Sequence, residues 1–251
     1  MFVDTHCHVV MNPKGAEQIV QNFEKDSIDF VITIGTNVEN SAEAVAFASA
    51  HANVYATVGV YPEYAEENMQ QALAQIETLL KKPKVVAIGE IGLDYHTPGY
   101  QKQWQQALFR KQLNLAIAYN KTVVIHSREA TQDMLTILKE YAPKLKHIVL
   151  HCFSGSVESA KEFLRLGCYI SFAGPITFKK TNREILHHIP LDRLLIETDS
   201  PYLAPEPVRG TVNEPANVKF VAQKIADTLE MPVEKLAQIT KENAKRAFDI
   251  V

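Results

Sequence analysis

Short apolar runs rich in β-branched residues alternate along this chain with longer amphipathic segments, and the alternation predicts eight strands linked by helical crossovers. The runs occupy 2–6, 29–36, 54–60, 85–90, 122–126, 147–151, 169–172 and 194–199. Segments 40–51, 69–82, 101–120, 130–141 and 157–166 have helical composition and spacing, and 213–251 reads as two or three closing helices. Strands that take turns with helices are parallel. Eight βα units at this length predict an α/β fold of the (β/α)8 type, a TIM barrel with extra C-terminal helices, as one domain over 1–251. No Gly-x-Gly-x-x-Gly turn follows the first run, which argues against a dinucleotide site.

Composition narrows the class. With 46% hydrophobic and 22% charged residues, the 251-residue chain supports one large core. No charged-then-apolar leader opens it and no apolar run approaches about 18 residues, so neither a signal peptide nor a membrane span is expected. The expected compartment is the cytoplasm, in keeping with three scattered cysteines, Cys7, Cys152 and Cys168, that make no disulfide framework. A net charge of -3 excludes a strongly basic surface as the means of holding nucleic acid; any such substrate is held locally.

Candidate chemistry sits at the strand ends. In this architecture the C-terminal tips converge on one mouth, and the runs end at His6 with His8, at Glu90, at His126, at His151 and at Asp199. His6-Cys7-His8 is a pincer, because alternate residues of a strand face the same way. Four of the nine histidines terminate strands, which an assortment of hydrogen-bonded core histidines does not explain. His51, His96, His147, His187 and His188 fall in helices, loops or strand starts and take no ligand role.

Six nitrogen and carboxylate ligands exceed what one catalytic zinc takes, about three protein groups plus water, so two adjacent divalent ions are expected. Glu90, on the middle strand, is the candidate bridge between His6, His8 and Asp199 on one side and His126 and His151 on the other. The donor set suits Zn or Mn and extends toward Mg. No lysine ends strand four, against a carbamylated-lysine bridge. Strand parity places Asp4 with the first pincer and Glu197 with Asp199, as residues that orient ligands. Arg128 shares the face of His126 and Arg209 lies in the loop after strand eight; either guanidinium can grip a phosphate. Lys179 and Lys180 read as surface charges. Cys7 and Cys152 point to the opposite strand face and read as structural, and Trp104 reads as core within a helical pattern.

Several motifs in order then carry a resemblance: Phe2-Val3-Asp4-Thr5-His6-Cys7-His8, Gly89-Glu90-Ile91-Gly92-Leu93-Asp94-Tyr95, His126-Ser127-Arg128-Glu129-Ala130, His151-Cys152-Phe153-Ser154-Gly155, Glu197-Thr198-Asp199-Ser200-Pro201-Tyr202-Leu203, Arg209-Gly210 and Asn213-Glu214-Pro215. The chain resembles the TatD family of metal-dependent hydrolases from residue 2 to Asn243-Ala244-Lys245-Arg246-Ala247-Phe248. The resemblance implies an amidohydrolase-type barrel and DNase activity, typically 3'-to-5' exonuclease, on a DNA substrate. Carried over by position, His6, His8, Glu90, His126, His151 and Asp199 are the expected metal ligands. The expected chemistry is attack by a water activated between two ions, with Asp199 as proton acceptor and Glu90 as bridge.

Two departures bear on substrate. The family's Gly-x-His-Pro stretch after strand three, often followed by another histidine, is here Gly59-Val60-Tyr61-Pro62-Glu63, and Thr211-Val212 replace two basic residues of its Arg-Gly-Lys-Arg-Asn stretch. Tyr61 faces the mouth, where it can stack on a base or hydrogen bond to phosphate, while Glu63 adds negative charge. Less positive charge at the mouth leaves a second class open: hydrolysis of another ester or amide bond, in a small molecule or an aminoacyl-RNA ester.

Overall fold

The computed structural model describes all residues 1–251. Eight parallel strands, β1 (Phe2–Cys7), β2 (Ile28–Thr33), β3 (Val54–Val58), β4 (Val85–Asp94), β5 (Thr122–Arg128), β6 (Ile148–Leu150), β7 (Tyr169–Phe172) and β8 (Leu194–Ile196), pair in chain order. The ring is drawn together where β8 meets β1: Thr5 Oγ1 donates to Ile196 O (3.0 Å), and the amides of Asp199 and His8 donate to His6 O (2.8 Å) and Ser200 O (2.7 Å). Eight helices accompany it, α1 (Ala16–Gln21), α2 (Val38–Ala50), α3 (Gln70–Leu80), α4 (Lys102–Ala118), α5 (Thr131–Tyr141), α6 (Val157–Arg165), α7 (Val218–Thr228) and α8 (Val233–Phe248). This is the expected (β/α)8 barrel with closing C-terminal helices. After β7 the crossover is built from short 3-10 turns, Gly174–Thr177 and Glu184–His188, and no helix of the chain is long and apolar enough to cross a membrane.

Two apolar layers follow from strand alternation. Outward side chains such as Val31, Ile88, Ile125 and Ile170 pack under the helices in the larger layer. Inward ones, including Val3, Ile32, Ala87, Val124, Val149 and Leu195, fill the barrel and meet Ala244, Ala247 and Phe248 of α8. Helix α8 therefore plugs the N-terminal end, tied by Thr122 Oγ1 to Ala247 O (2.5 Å) and by Asn243 Nδ2 to Leu194 O (2.7 Å). Chemistry is left to the opposite end.

Three local expectations change. Strand four continues to Asp94 beyond the expected end at Glu90, and its pairing with β5 shifts register between Ile88 and Ile91. That irregularity re-aims the strand at Glu90. Gly92 makes the continuation possible: it has φ +143°, and a Cβ there would lie 2.0 Å from His126 O. Trp104 is not core but 39% exposed, because α4 buries a different stripe, Leu108, Phe109, Leu113 and Ala116. Asp4 does not share the face of the imidazoles: β1 gains one residue relative to β2 between Asp4 and Cys7, which breaks the period of two.

Candidate metal centre

All six expected ligands converge at the C-terminal end of the barrel. His6 lies within β1 and His8 just beyond its end at Cys7, Glu90 lies within β4, His126 within β5, His151 directly follows β6, and Asp199 lies three residues past the end of β8. Asp199 turns with φ 55°, a left-handed conformation that aspartate tolerates better than most residues. Glu90 lies at the middle. Its Oε1 is 2.8 Å from His151 Nε2 and 3.0 Å from His126 Nδ1, while its Oε2 is 3.4 Å from His6 Nε2. Asp199 Oδ1 is 3.5 Å from His6 Nε2 and 3.4 Å from His8 Nε2. The rings of His6 and His151 stack, with centroids 3.8 Å apart.

This arrangement fits divalent cations on the side chains' own terms. Within it, His6, His8 and Glu90, then His6, His151 and Asp199, then Glu90, His126 and His151 each bring ligand atoms within 4.8 Å of one another. Both ring nitrogens of His6 and Nδ1 of His8 are buried without a hydrogen-bond partner. A buried polar atom left unpaired costs about 1–3 kcal/mol, so three of them in one cluster call for a ligand. Imidazole and carboxylate together are the donors of Zn and Mn sites.

Electrostatics bind the cluster together. Burial opposes the charge of Glu90, but His151, His126 and His6 outweigh it and hold the carboxyl well below its usual range. Burial likewise works against charge on His126 and His151, yet Asp94 and Glu90 raise the first, and Glu90 and Glu197 raise the second well above the ordinary imidazole. For Asp199 burial is overcome by the hydrogen bond from His8 and the charge of the surrounding imidazoles, which keep it ionised. His6 is the exception: burial and the neighbouring His151 hold it below the ordinary imidazole.

A surrounding layer fixes the expected ligands. Glu197 Oε1 lies 3.3 Å from His151 Nδ1 and accepts from the Cys152 amide (2.7 Å), and its Oε2 accepts from Ser171 Oγ (2.5 Å). Asp4 works through the backbone instead: its carboxylate accepts from the amides of His6 (3.2 Å) and Thr198 (3.0 Å) and from Thr198 Oγ1 (2.5 Å). Full burial pushes Asp4 up to about 8 despite those bonds. Asp94, which carries no expected role, proves to be the partner of His126, with Oδ2 2.9 Å from Nε2. Burial opposes the Asp94 charge, but His126 and the His96 amide bring it down to about 2.

The expected substrate residues separate. Tyr61 Oη lies 3.0 Å from His126 Nε2 and 3.1 Å from Asp94 Oδ2, so it belongs to the cluster. Burial, with the carboxylates of Glu90 and Asp94, pushes its phenol up and keeps the proton in place. Arg128 is exposed and lines a cavity of about 340 Å³ with His151, Phe153, Ser154 and Gly155. Arg209 lies with its guanidinium 4.3 Å from the Phe178 ring centroid and 3.9 Å from Glu206. On the rim Glu63 takes a hydrogen bond from Thr97 Oγ1 (2.5 Å) and Glu129 pairs with His96 (2.7 Å). Cys7 is buried, with Sγ 3.4 Å from Ile32 O, as a structural thiol.

Comparison with known proteins agrees with this centre. A family described as TatD related DNase matches residues 3–249. An uncharacterized metal-dependent hydrolase of Bacillus subtilis, YabD, is 41% identical over 254 residues, covering 100% of both chains. A TatD protein of Edwardsiella piscicida, named a 3'-5' ssDNA/RNA exonuclease, is 35% identical over 239 residues, 92% of each chain. Among solved structures, the TatD homologue YJJV of Escherichia coli superposes with a TM-score of 0.93 at 32% identity, covering 100% of this chain and 98% of its own. A barrel that gathers imidazoles and carboxylates at its mouth, and aligns from end to end with these relatives, belongs to the TatD family of metal-dependent hydrolases.

Proposed function

We propose that the chain is a deoxyribonuclease that removes nucleotides from 3' ends, with two divalent cations (Mg, Mn or Zn) held by His6, His8, Glu90, His126, His151 and Asp199. One observation carries the two-cation part of the reading: the two oxygens of Glu90 face different ligand sets, Oε1 toward His126 and His151 and Oε2 toward His6. A carboxylate so placed would serve both ligand sets when cations are bound. The name of the Edwardsiella piscicida relative supports a nucleic acid as substrate.

When bound, such cations supply Lewis-acid charge beside the scissile bond and ease the ionisation of water. The chain does the rest. Asp199 is the proton acceptor for the attacking water, since it is held ionised and its side chain is 14% exposed against 4% for Glu90. Glu90, enclosed by three imidazoles, keeps the ligand sets at a fixed separation. Glu197 and Asp94 hold His151 and His126 in the orientation that presents the opposite ring nitrogen to Glu90. Arg128, beside His151 at the cavity wall, balances charge on the phosphoryl oxygens. Arg209 is the second guanidinium for that task.

End-labelled single-stranded DNA with Mg or Mn, run beside Asp199→Asn, tests the reading. Stepwise shortening from the 3' end, absent in the variant, is expected. The acidic rim residues Glu63 and Glu129 favour a second reading, hydrolysis of another ester or amide bond. Cation-loaded protein inert on DNA but active on a carboxyl ester would replace the first reading with the second.

A further inference from the structure

We propose that Tyr61 is a positioning residue: its hydroxyl, shared between Asp94 and His126, fixes the His126 ring and thereby sets how tightly the His126, His151 and Glu90 group holds its cation. The proposal rests on the reading of the cluster as a two-cation centre.

Three atoms meet at nearly equal distances. Tyr61 Oη is 3.0 Å from His126 Nε2 and 3.1 Å from Asp94 Oδ2, and those two are 2.9 Å apart. His126 turns Nδ1 toward Glu90 Oε1 at 3.0 Å. As a ligand through Nδ1, the neutral ring carries its proton on Nε2, and Asp94 Oδ2 accepts it. The Tyr61 hydroxyl donates to the same oxygen. Rotating the ring so that Nδ1 leaves Glu90 also carries Nε2 away from both partners, and the Tyr61 ring stands against the imidazole in a T-shaped contact, centroids 4.8 Å apart at 60°.

Each partner is itself anchored. The Tyr61 amide donates to Thr36 O (2.7 Å), and Gln112 clamps the preceding residue by accepting from Val60 N (2.8 Å) and donating to Val60 O (2.9 Å). Asp94 Oδ1 accepts from the His96 amide (2.9 Å), and Gln105 bonds both the amide (2.9 Å) and the carbonyl (2.8 Å) of Asp94. The backbone that carries the phenol is thus held between the segment after β2 and α4, and the hydroxyl is presented to β4 and β5. Its hydrogen bonds go to the His126 side of Glu90, so its influence is confined to one cation. A hydroxyl already engaged in this way orients a ligand and is not free to grip a phosphate, which reassigns Tyr61 from substrate to ligand support.

Calorimetric titration of Mn²⁺ or Zn²⁺ into metal-free wild type, Tyr61→Phe, Asp94→Asn and the double variant separates the alternatives, with circular dichroism as the check on folding. Wild type takes up two cations. Tyr61→Phe weakens one step about tenfold and leaves the other unchanged, Asp94→Asn weakens the same step, and the double variant is no weaker than Asp94→Asn alone. With Co²⁺ as probe, the absorption of one of the two sites shifts. Wild-type affinity at both steps of Tyr61→Phe, with a raised KM alone, would overturn the proposal in favour of a substrate contact. Wild type that takes up fewer than two cations would overturn the two-cation reading beneath it, before any variant is compared.

Discussion

Glu197→Gln is the sharpest probe of how the barrel supports its centre. The native carboxylate receives the Cys152 amide, Ser171 Oγ and the His151 ring in a fully buried position. Glutamine keeps the volume but offers one oxygen in place of two and turns an NH₂ toward three groups that all donate to Glu197, of which only the Ser171 hydroxyl can accept in return, leaving its own proton unpaired. At least one buried donor loses its partner, at about 1–3 kcal/mol. For a chain of this length about 2–4 °C of Tm follows each kcal/mol, so with EDTA present the variant melts about 2–12 °C below wild type. A second loss appears only with cations. Weakening the support of a metal-binding histidine lowers affinity about 10- to 100-fold, or about 1.4–2.7 kcal/mol of linked stability at saturating ion. Thermal scans with EDTA and with excess Mn²⁺, joined to a direct metal titration, read the two effects separately. An unchanged Tm in EDTA would refute the hydrogen-bond argument, and an unchanged cation affinity would refute the tie between Glu197 and the centre.

Other perturbations have definite outcomes. Chelation of cations present at about a thousandfold over Kd removes about 4.1 kcal/mol per site, so EDTA lowers the Tm of wild type by about 8–16 °C for each ion lost. Gly92→Ala drives a Cβ against His126 O at 2.0 Å and strains a φ of +143°, so thermal unfolding reports a loss of about 3 kcal/mol or more. Burial pushes the Cys168 thiol up to about 12, so at pH 8 about one molecule in ten thousand carries the thiolate. Iodoacetamide followed by mass spectrometry therefore leaves Cys168 unmodified in the native protein and alkylates it after unfolding.

The barrel was legible because its strands announce themselves by apolar runs and its crossovers by helical spacing, and the convergence of the candidate ligands was legible because the fold brings strand tips to one rim. His6, His126, His151 and Asp199 could be placed from that rule alone. What escaped lies where backbone irregularity overrides pattern. Read from sequence, strand four ends at Glu90 because glycines interrupt it, and this conceals Asp94, four residues on and beside β5. The signal was present in Gly89-Glu90-Ile91-Gly92-Leu93-Asp94, whose alternation continues past the glycines. In β1 the added residue between Asp4 and Cys7 redirects Asp4 from the imidazoles to the backbone of His6 and Thr198, and one chain read by itself contains no mark of that shift. Tyr61 was identifiable as a mouth residue, but its contact with Asp94 depends on a strand end that only the three-dimensional pairing shows.

The central claim is that six converging side chains hold two divalent cations on either side of Glu90. Anomalous diffraction from crystals of Mn²⁺- or Zn²⁺-loaded protein tests it most directly. Two peaks are expected, one bonded by His6, His8, Asp199 and Glu90 and the other by His126, His151 and Glu90, with the Glu90 carboxylate between them. A single peak, or cations bound away from this cluster, would contradict the account.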